Sequence, residues 1–409
     1  MLYLPFDIIV EICRRLEDED FVHFTACSKK CLEFRKWTRM VKIYEYERIK
    51  NVVNIFKFNN VRIYEAPWKL NLSNVRHLIF PWNFNEAIGV LPPSVTHLTF
   101  GDKFDQPVDN LPSTITHLQF GHFFNQSIDK LPFSVTHINI NTVCFNQPID
   151  HLPASLISLS LSCYFNQPVD NLPSSLTHLS FGNCFNQRVD KLPSSIVCLE
   201  FGDYFDQPVD NLPPSLKILK FGWSFNQKVD KLPASINHLT FGLRFNQYVD
   251  YLPPNLTHLT FGKNFDHPVN NLPPKITHLT FGDNFDQPVY HLPRSLIELT
   301  LGWCFNQPVN NLPESITRLF FEGLFNQPVD NLPASLIHLT FGSRFDHPID
   351  NLPRQITHVT LGWKFDRLLN HLPPSLIYLK LSAFCFQKNK SRLTVRDIDT
   401  FDHPYFWRK

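Results

Sequence analysis

The sequence lacks the markers of a membrane protein, a secreted scaffold and the familiar enzyme classes. No apolar run approaches the length of about 18 residues that would read as a membrane-spanning helix. The N-terminal stretch MLYLPFDIIVEICRRL has no basic segment ahead of its apolar residues and carries Asp7 and Glu11 among them, which argues against a signal peptide. Charge is nearly balanced, with 38 Lys and Arg against 37 Asp and Glu and a net charge of +1, so electrostatics gives no case for nucleic acid or an anionic membrane as partner. The nine cysteines are odd in number and recur at no fixed spacing. That is the usage of a reduced compartment, and it points to the cytoplasm or nucleus. There is no G-x-S-x-G, no P-loop, no Rossmann glycine pattern and no H-E-x-x-H. Neither an enzyme nor a cofactor is expected.

What the sequence has is a period. Phe165–Cys184, FNQPVDNLPSSLTHLSFGNC, returns every 20 residues in fifteen copies whose opening Phe runs from Phe84 to Phe365. One extra residue near Thr142–Cys144 breaks the count. A fixed period of this length is the signature of a solenoid.

Numbering each copy from its Phe, positions 1, 5, 8, 12, 15 and 17 are apolar throughout; in the type copy they are Phe165, Val169, Leu172, Leu176, Leu179 and Phe181. The last three resemble the L-x-x-L-x-L of a leucine-rich repeat. Between His178 and Phe181 apolar and polar residues alternate, which predicts a short strand with one buried face. Pro at position 9, from Pro92 to Pro373, and at position 4 in nine copies, including Pro107 and Pro168, excludes helix interior and central strand. The other limb should be extended or turn-like. Asn or Asp at position 2, as in Asn166 and Asp206, suits a ladder bonding the backbone of the next coil. Gly at position 18, as in Gly182, is expected to turn the chain out of the strand. One coil cannot bury its own stripe, but stacked coils share a core. Fifteen strands about 4.8 Å apart give a parallel sheet on the order of 70 Å long.

The ends differ from the repeats. Residues 1–45 predict three short helices: one with Ile8, Ile9, Ile12 and Leu16 on one face, one with Phe21 and Phe24, and one with Leu32, Phe34 and Trp37. Residues 46–83 read as a linker with a helix over Tyr46–Phe56 and a degenerate capping coil whose strand half is Val75–Phe80. Residues 84–384 are the solenoid proper, and residues 385–409 a C-terminal cap followed by a tail.

Two resemblances carry family information. Leu4, Pro5, Asp7, Ile8, Ile9, Ile12, Leu16, Asp18, Phe21, Cys27, Ser28 and Lys29 fall on the pattern of an F-box, with Asp7 and Cys27 where Glu and Val are usual. The repeats over 84–384 resemble the FNIP family, F-N-x-P-[LIV] followed by L-P-x-S-[LI]-x-x-L-x-[LF]-G. Proteins combining the two are typical of amoebae and the giant viruses that infect them. The resemblance implies α+β architecture by domain: a small three-helix F-box, then a leucine-rich-repeat-like solenoid with a parallel β-sheet and a mostly non-helical convex side. It also implies docking on the Skp adaptor of a cullin–RING ubiquitin ligase through Leu4, Pro5, Ile8, Ile9, Ile12, Leu16 and Phe21.

Two sets of outward residues are candidates for function. Position 14 is His in nine copies, from His97 to His358, a row that could bind metal or sense pH. A metal needs converging ligands, and no carboxylate or Cys recurs beside these, so an ordinary outward residue explains the row better and no metal site is assigned. Positions 14, 16, 19 and 20 vary from copy to copy and carry residue types that dominate protein interfaces. Tyr204, Trp223, Arg244, Trp303, Arg318, Arg344, Trp363 and Tyr378 are the expected contacts to a protein substrate. The expectation is a non-catalytic ligase adaptor that holds an unidentified protein close to the transfer machinery. The alternative is a protein-binding or structural repeat protein whose N-terminal helices only cap the solenoid.

Overall fold

The structure, a computed structural model, describes residues 39–49, 57–63, 75–140 and 142–402. It is a parallel β-solenoid of about 16 turns with almost no helix. The chain divides into two compact units, Met1–Gln167 with Asn171–Leu179 and Pro168–Asp170 with Ser180–Lys409. In the first, consecutive strands from Arg39–Glu45 to Ser158–Ser160 pair in parallel. In the second the same pairing runs from Cys198–Glu200 to Asp397–Phe401. Register is in phase: His238 faces His258, Leu239 faces Leu259 and Thr240 faces Thr260.

The strand occupies positions 14 to 16, and only its middle residue is buried. The core is the six apolar positions. In one coil of the second unit Phe205, Val209, Leu212, Leu216, Leu219 and Phe221 are all buried. Two Phe ladders run through it. Phe205 stacks on Phe225 with centroids 6.1 Å apart, and Phe201 on Phe221 at 5.6 Å, while Phe201 also lies 3.7 Å from Phe205. Burying each such side chain contributes roughly 1.5–3 kcal/mol.

The prolines do what their chemistry dictates. Position 9 begins a tight turn whose fourth residue donates back to the Pro carbonyl, as Leu216 N does to Pro213 O at 3.2 Å. The position-2 ladder is present as expected. Asn226 N donates to Asp206 Oδ1 at 2.9 Å, and Asn246 N to Asn226 Oδ1 at 2.8 Å. A second ladder was not anticipated: Ser235 Oγ at position 11 donates to Leu216 O of the preceding coil at 2.7 Å. The extra residue near 142 is absorbed by buried Thr142, whose Oγ1 accepts from Phe145 N at 2.9 Å.

The expectation for glycine needs correction. Among the described residues Gly323 alone has positive φ, at 32°, so the position-18 glycines are not used for left-handed backbone. They are used for close approach. A Cβ on Gly242 would sit 1.8 Å from the carbonyl oxygen of Gly222, and one on Gly222 would sit 2.2 Å from that of Gly202. Successive coils touch here backbone to backbone.

The N-terminal expectations are met by different geometry where the structure describes them. The three helices over residues 1–37 lie outside the described residues. Arg39–Glu45, counted above with that module, is a strand paired with Lys57–Arg62, which pairs in turn with His77–Ile79, so the sheet runs three strands beyond the first periodic coil. Tyr46–Ile49 is helical, and the remainder of the expected linker helix lies outside the described residues. In the capping coil Val75, Leu78 and Phe80 are buried and His77–Ile79 is the strand.

At the other end Ser382 caps the helix Ala383–Asn389, its Oγ accepting from Cys385 N at 3.2 Å. Asn389 is fully buried beneath the last coil. Its Oδ1 accepts from Leu369 N at 2.8 Å and its Nδ2 donates to Arg367 O at 3.1 Å, so the coil's open backbone groups are satisfied. Asp397–Phe401 then adds a closing strand, and the aromatic tail expected at Tyr405–Trp407 lies outside the described residues. Among the described residues no helix is long and apolar enough to cross a membrane.

Candidate functional site

Spacing between coils varies across their width. In the second unit ring centroids are 4.2 Å apart along the His238–His258 row, 5.7 Å between Phe241 and Phe261, and 6.1 Å between Phe225 and Phe245. Each coil is therefore a wedge, narrow on the strand side. That side is a concave face of outward positions 14 and 16.

In the first unit this face forms a groove lined by His77, His97, His117 and His137, with Thr99, Gln119, Asn139 and Ser160 in a parallel lane. The imidazoles stack: His97 to His117 at 4.0 Å and His117 to His137 at 4.2 Å, closer than the 4.8 Å backbone step. His97, His117 and His137 are each tethered by the Thr before them, while His77 Nε2 lies 2.8 Å from Thr99 Oγ1. Thr116 Oγ1 lies 2.8 Å from His117 Nδ1 and donates to Thr96 O at 3.2 Å, which leaves the Nδ1–H to donate to the hydroxyl and turns the Nε2 lone pair outward. Burial pushes His117 down to about 4, helped by the neighbouring His97 and His137. Burial also lowers His77 and His97, and in the second unit His258 and His338. These rings are neutral acceptors at neutral pH. From His97 to His137 the rings lie nearly parallel rather than converging, His77 being tilted 46° from His97, and among the described residues no group of three or more His, Cys, Asp or Glu is arranged to hold a metal ion.

The eight expected contacts all fall in the second unit, on two separate surfaces. Arg318 and Tyr378 stand on the strand face. There Arg318 pairs with Glu298 at 3.3 Å, and Tyr378 donates to Asp399 at 3.2 Å, with Lys380 also on Asp399 at 2.7 Å. Lys220 and Glu200 pair likewise at 2.7 Å. The charged residues that interrupt the Thr and His rows thus neutralise one another across adjacent strands.

Tyr204, Trp223, Arg244, Trp303, Arg344 and Trp363 lie instead on the turn that follows each strand, at positions 19 and 20. Tyr204 and Trp223 are more than 60% exposed and Trp303 half exposed. The turns are tied together by backbone bonds, as Arg244 N to Trp223 O at 2.8 Å. In the first unit the same turn carries Trp82, Phe123 and Tyr164, all exposed and not singled out from sequence, with Lys103 4.9 Å above the Trp82 ring. Their repeat positions were the available signal. The residues expected to dock a Skp adaptor, Leu4, Pro5, Ile8, Ile9, Ile12, Leu16 and Phe21, lie outside the described residues.

Comparison with known proteins follows the repeats. The FNIP Repeat family matches residues 73–103, 84–123, 104–143, 145–184, 185–222, 208–244, 225–264, 267–304 and 325–364. Among solved structures the chain is similar to CroV588, a circular leucine-rich-repeat protein from a giant virus. The two share 35% identity with a TM-score of 0.64, over 86% of this chain and 67% of that one. YopM from Yersinia enterocolitica matches at 17% identity and TM-score 0.44, over 80% of this chain and 85% of its own. The internalin InlF from Listeria monocytogenes matches at 15% and 0.44, over 65% and 80%. Among curated proteins none is a significant relative.

Proposed function

The chain belongs to the FNIP repeat family, and on that premise we propose that it is a non-catalytic adaptor whose solenoid holds a protein substrate. The observation that carries this reading is the division of labour within each coil. Buried positions repeat while the turn positions change from coil to coil and display Trp, Tyr and Arg, the side chains that concentrate binding energy at protein interfaces. A rigid core that presents a varied rim is how stacked repeats recognise partners. The finer part of the proposal is that residues 1–38, ahead of the first strand, dock a Skp-type subunit of a cullin–RING ligase. It is supported by the F-box resemblance at Leu4, Pro5, Ile8, Ile9, Ile12, Leu16 and Phe21. The solenoid would then raise the substrate's local concentration at the ligase, with the transfer chemistry supplied by other subunits.

The test is a pull-down of a purified eukaryotic Skp adaptor with the full chain and with a Leu4→Ala/Pro5→Ala variant, both checked by circular dichroism. Binding that disappears in the folded variant supports the ligase role. No binding by the folded full chain removes that role and leaves a protein-binding solenoid.

A further inference from the structure

We propose that the turn edge of the second unit is a docking strip for an acidic, extended segment of the partner protein. This rests on the protein-binding reading above and specifies the chemistry of what is bound. Tyr204, Trp223 and Arg244 occupy three consecutive turns, held in line by Ser224 N to Asp203 O and Arg244 N to Trp223 O, both 2.8 Å. Further along, Trp303 and Arg344 repeat the combination of an exposed aromatic and an exposed guanidinium two coils apart, the spacing that also separates Tyr204 from Arg244.

Charge separates this strip from the strand face of the same unit. The three cations carried by the strands, Lys220, Arg318 and Lys380, are each met by an acid of the same face. Among the described residues Arg244 and Arg344 make no ion pair. Lys364, on the turn beyond Arg344, lies 5.3 Å above the Trp363 ring. Opposing them on these turns are Asp203, Glu322 and Asp283, the last already held by Lys263 at 3.5 Å. With Asp203 and Glu322 set against Arg244, Arg344 and Lys364, the unmatched charge of the strip is positive by one and lies beside exposed aromatic side chains.

Trp303 is also held in place. Gly323 has φ of 32°, and a Cβ there would lie 2.5 Å from Trp303 Cδ2. The indole rests on a bare α-carbon, so little rotamer freedom is lost when a partner covers it.

The spacing suits an extended ligand. Each coil advances about 4.8 Å at the strands and 5.6 to 6.1 Å at the Phe ladders that flank the turn. Two coils therefore span roughly 10–12 Å, the reach of three or four residues of polyproline-type chain at about 3.1 Å each. A segment lying along the strip sets one side chain on an aromatic and the third or fourth residue beyond it against an arginine. The expected ligand carries Asp or Glu three or four residues from an apolar or aromatic residue.

The experiment pans a displayed library of random peptides of about 12 residues, some 37 Å when extended, on the purified full chain. The same library is panned on two variants, Trp223→Ala/Arg244→Gln and Trp303→Ala/Arg344→Gln. These side chains are exposed, and circular dichroism checks that both variants keep the fold. We expect enriched peptides with an acid three or four residues from an apolar side chain, weakened about tenfold or more by at least one variant, and weakened again by high salt. Enrichment of peptides without acids, binding to both folded variants as tight as to the natural chain, or no enrichment overturns the proposal. Polyuridylate that binds more tightly than any selected peptide and is lost in the same variants also overturns it, in favour of single-stranded nucleic acid. No Skp adaptor is present in this assay. A chain that selects acidic peptides but fails the pull-down keeps the strip and loses the ligase role, and the converse result loses only the strip.

Discussion

The imidazole of His97 stacks on that of His117 with centroids 4.0 Å apart and planes 12° from parallel. Two rings at that distance cannot both take up a proton without strong repulsion, and His137 lies 4.2 Å beyond on the other side of His117. The in-phase register of the sheet produces this relationship, because residues 20 apart are brought face to face.

Acid should loosen the first unit through this stack. His117 titrates at about 4 in the fold, against 6.5 for its unperturbed value. Between those values the unfolded chain binds more protons, so stability is complete above about pH 6.5 and falls as pH drops toward 4. The groups facing the ring are His97 and His137, with His77 and Arg76 close along the same row. A tenfold change in proton affinity is worth about 1.4 kcal/mol. Solvent screening at this half-exposed face reduces His117's contribution to about 1 kcal/mol. Thermal melts from pH 7.5 to 4.5 should show a shallower loss for His117→Gln than for the natural chain. Parallel curves would refute this account.

The position-2 ladder predicts a graded pair of substitutions. Asp206 Oδ1 accepts from Asn226 N at 2.9 Å and from Gln227 Nε2 at 3.0 Å. Asp206→Ala leaves Asn226 N without its acceptor and Gln227 Nε2 with only the backbone carbonyl of residue 206, 3.2 Å away, and should cost about 1–3 kcal/mol. Asp206→Asn keeps an acceptor oxygen, as Asn146 provides for Asn166 N at 2.8 Å, and should stay close to the natural chain. Denaturant melts of the two variants decide it, and equal losses would mean that the charge, rather than the hydrogen bond, matters.

Gly242→Ala should be costly although alanine suits the backbone angles there. Its Cβ would meet the Gly222 carbonyl oxygen at 1.8 Å, and the obstacle is main chain that cannot rotate aside. A loss of about 3 kcal/mol, at the upper end for overpacking, is expected in urea unfolding. A change below about 0.5 kcal/mol, typical of neutral surface sites, would show that the coils separate more easily than this contact implies.

Much of the coil was legible in the residues. Apolar residues at six fixed positions named the core, alternation around His178 placed the strand, and Pro at position 9 excluded a helical limb. The Asn and Asp ladder followed from a short polar side chain at one invariant site. Other features were hidden because their causes are not local. Glycine at position 18 suggested a turn, yet its reason is the neighbouring coil's carbonyl. Arg318 suggested a free contact, yet Glu298, 20 residues earlier, stands beside it. Asn389 has no signature that distinguishes a buried cap from a surface amide, because its partners, Leu369 and Arg367, belong to the preceding coil.

The sequence by itself determined the repeat, its core positions and the strand, since these depend on the order of apolar and polar residues within one 20-residue unit. Only the tertiary structure decided which outward side chains neutralise one another, which rings stack, and that the six turn residues form a surface separate from Arg318 and Tyr378. Those outcomes depend on distances between coils. The distances follow from the wedge that Phe, Leu and Gly make together when stacked, and a period in one dimension does not contain them.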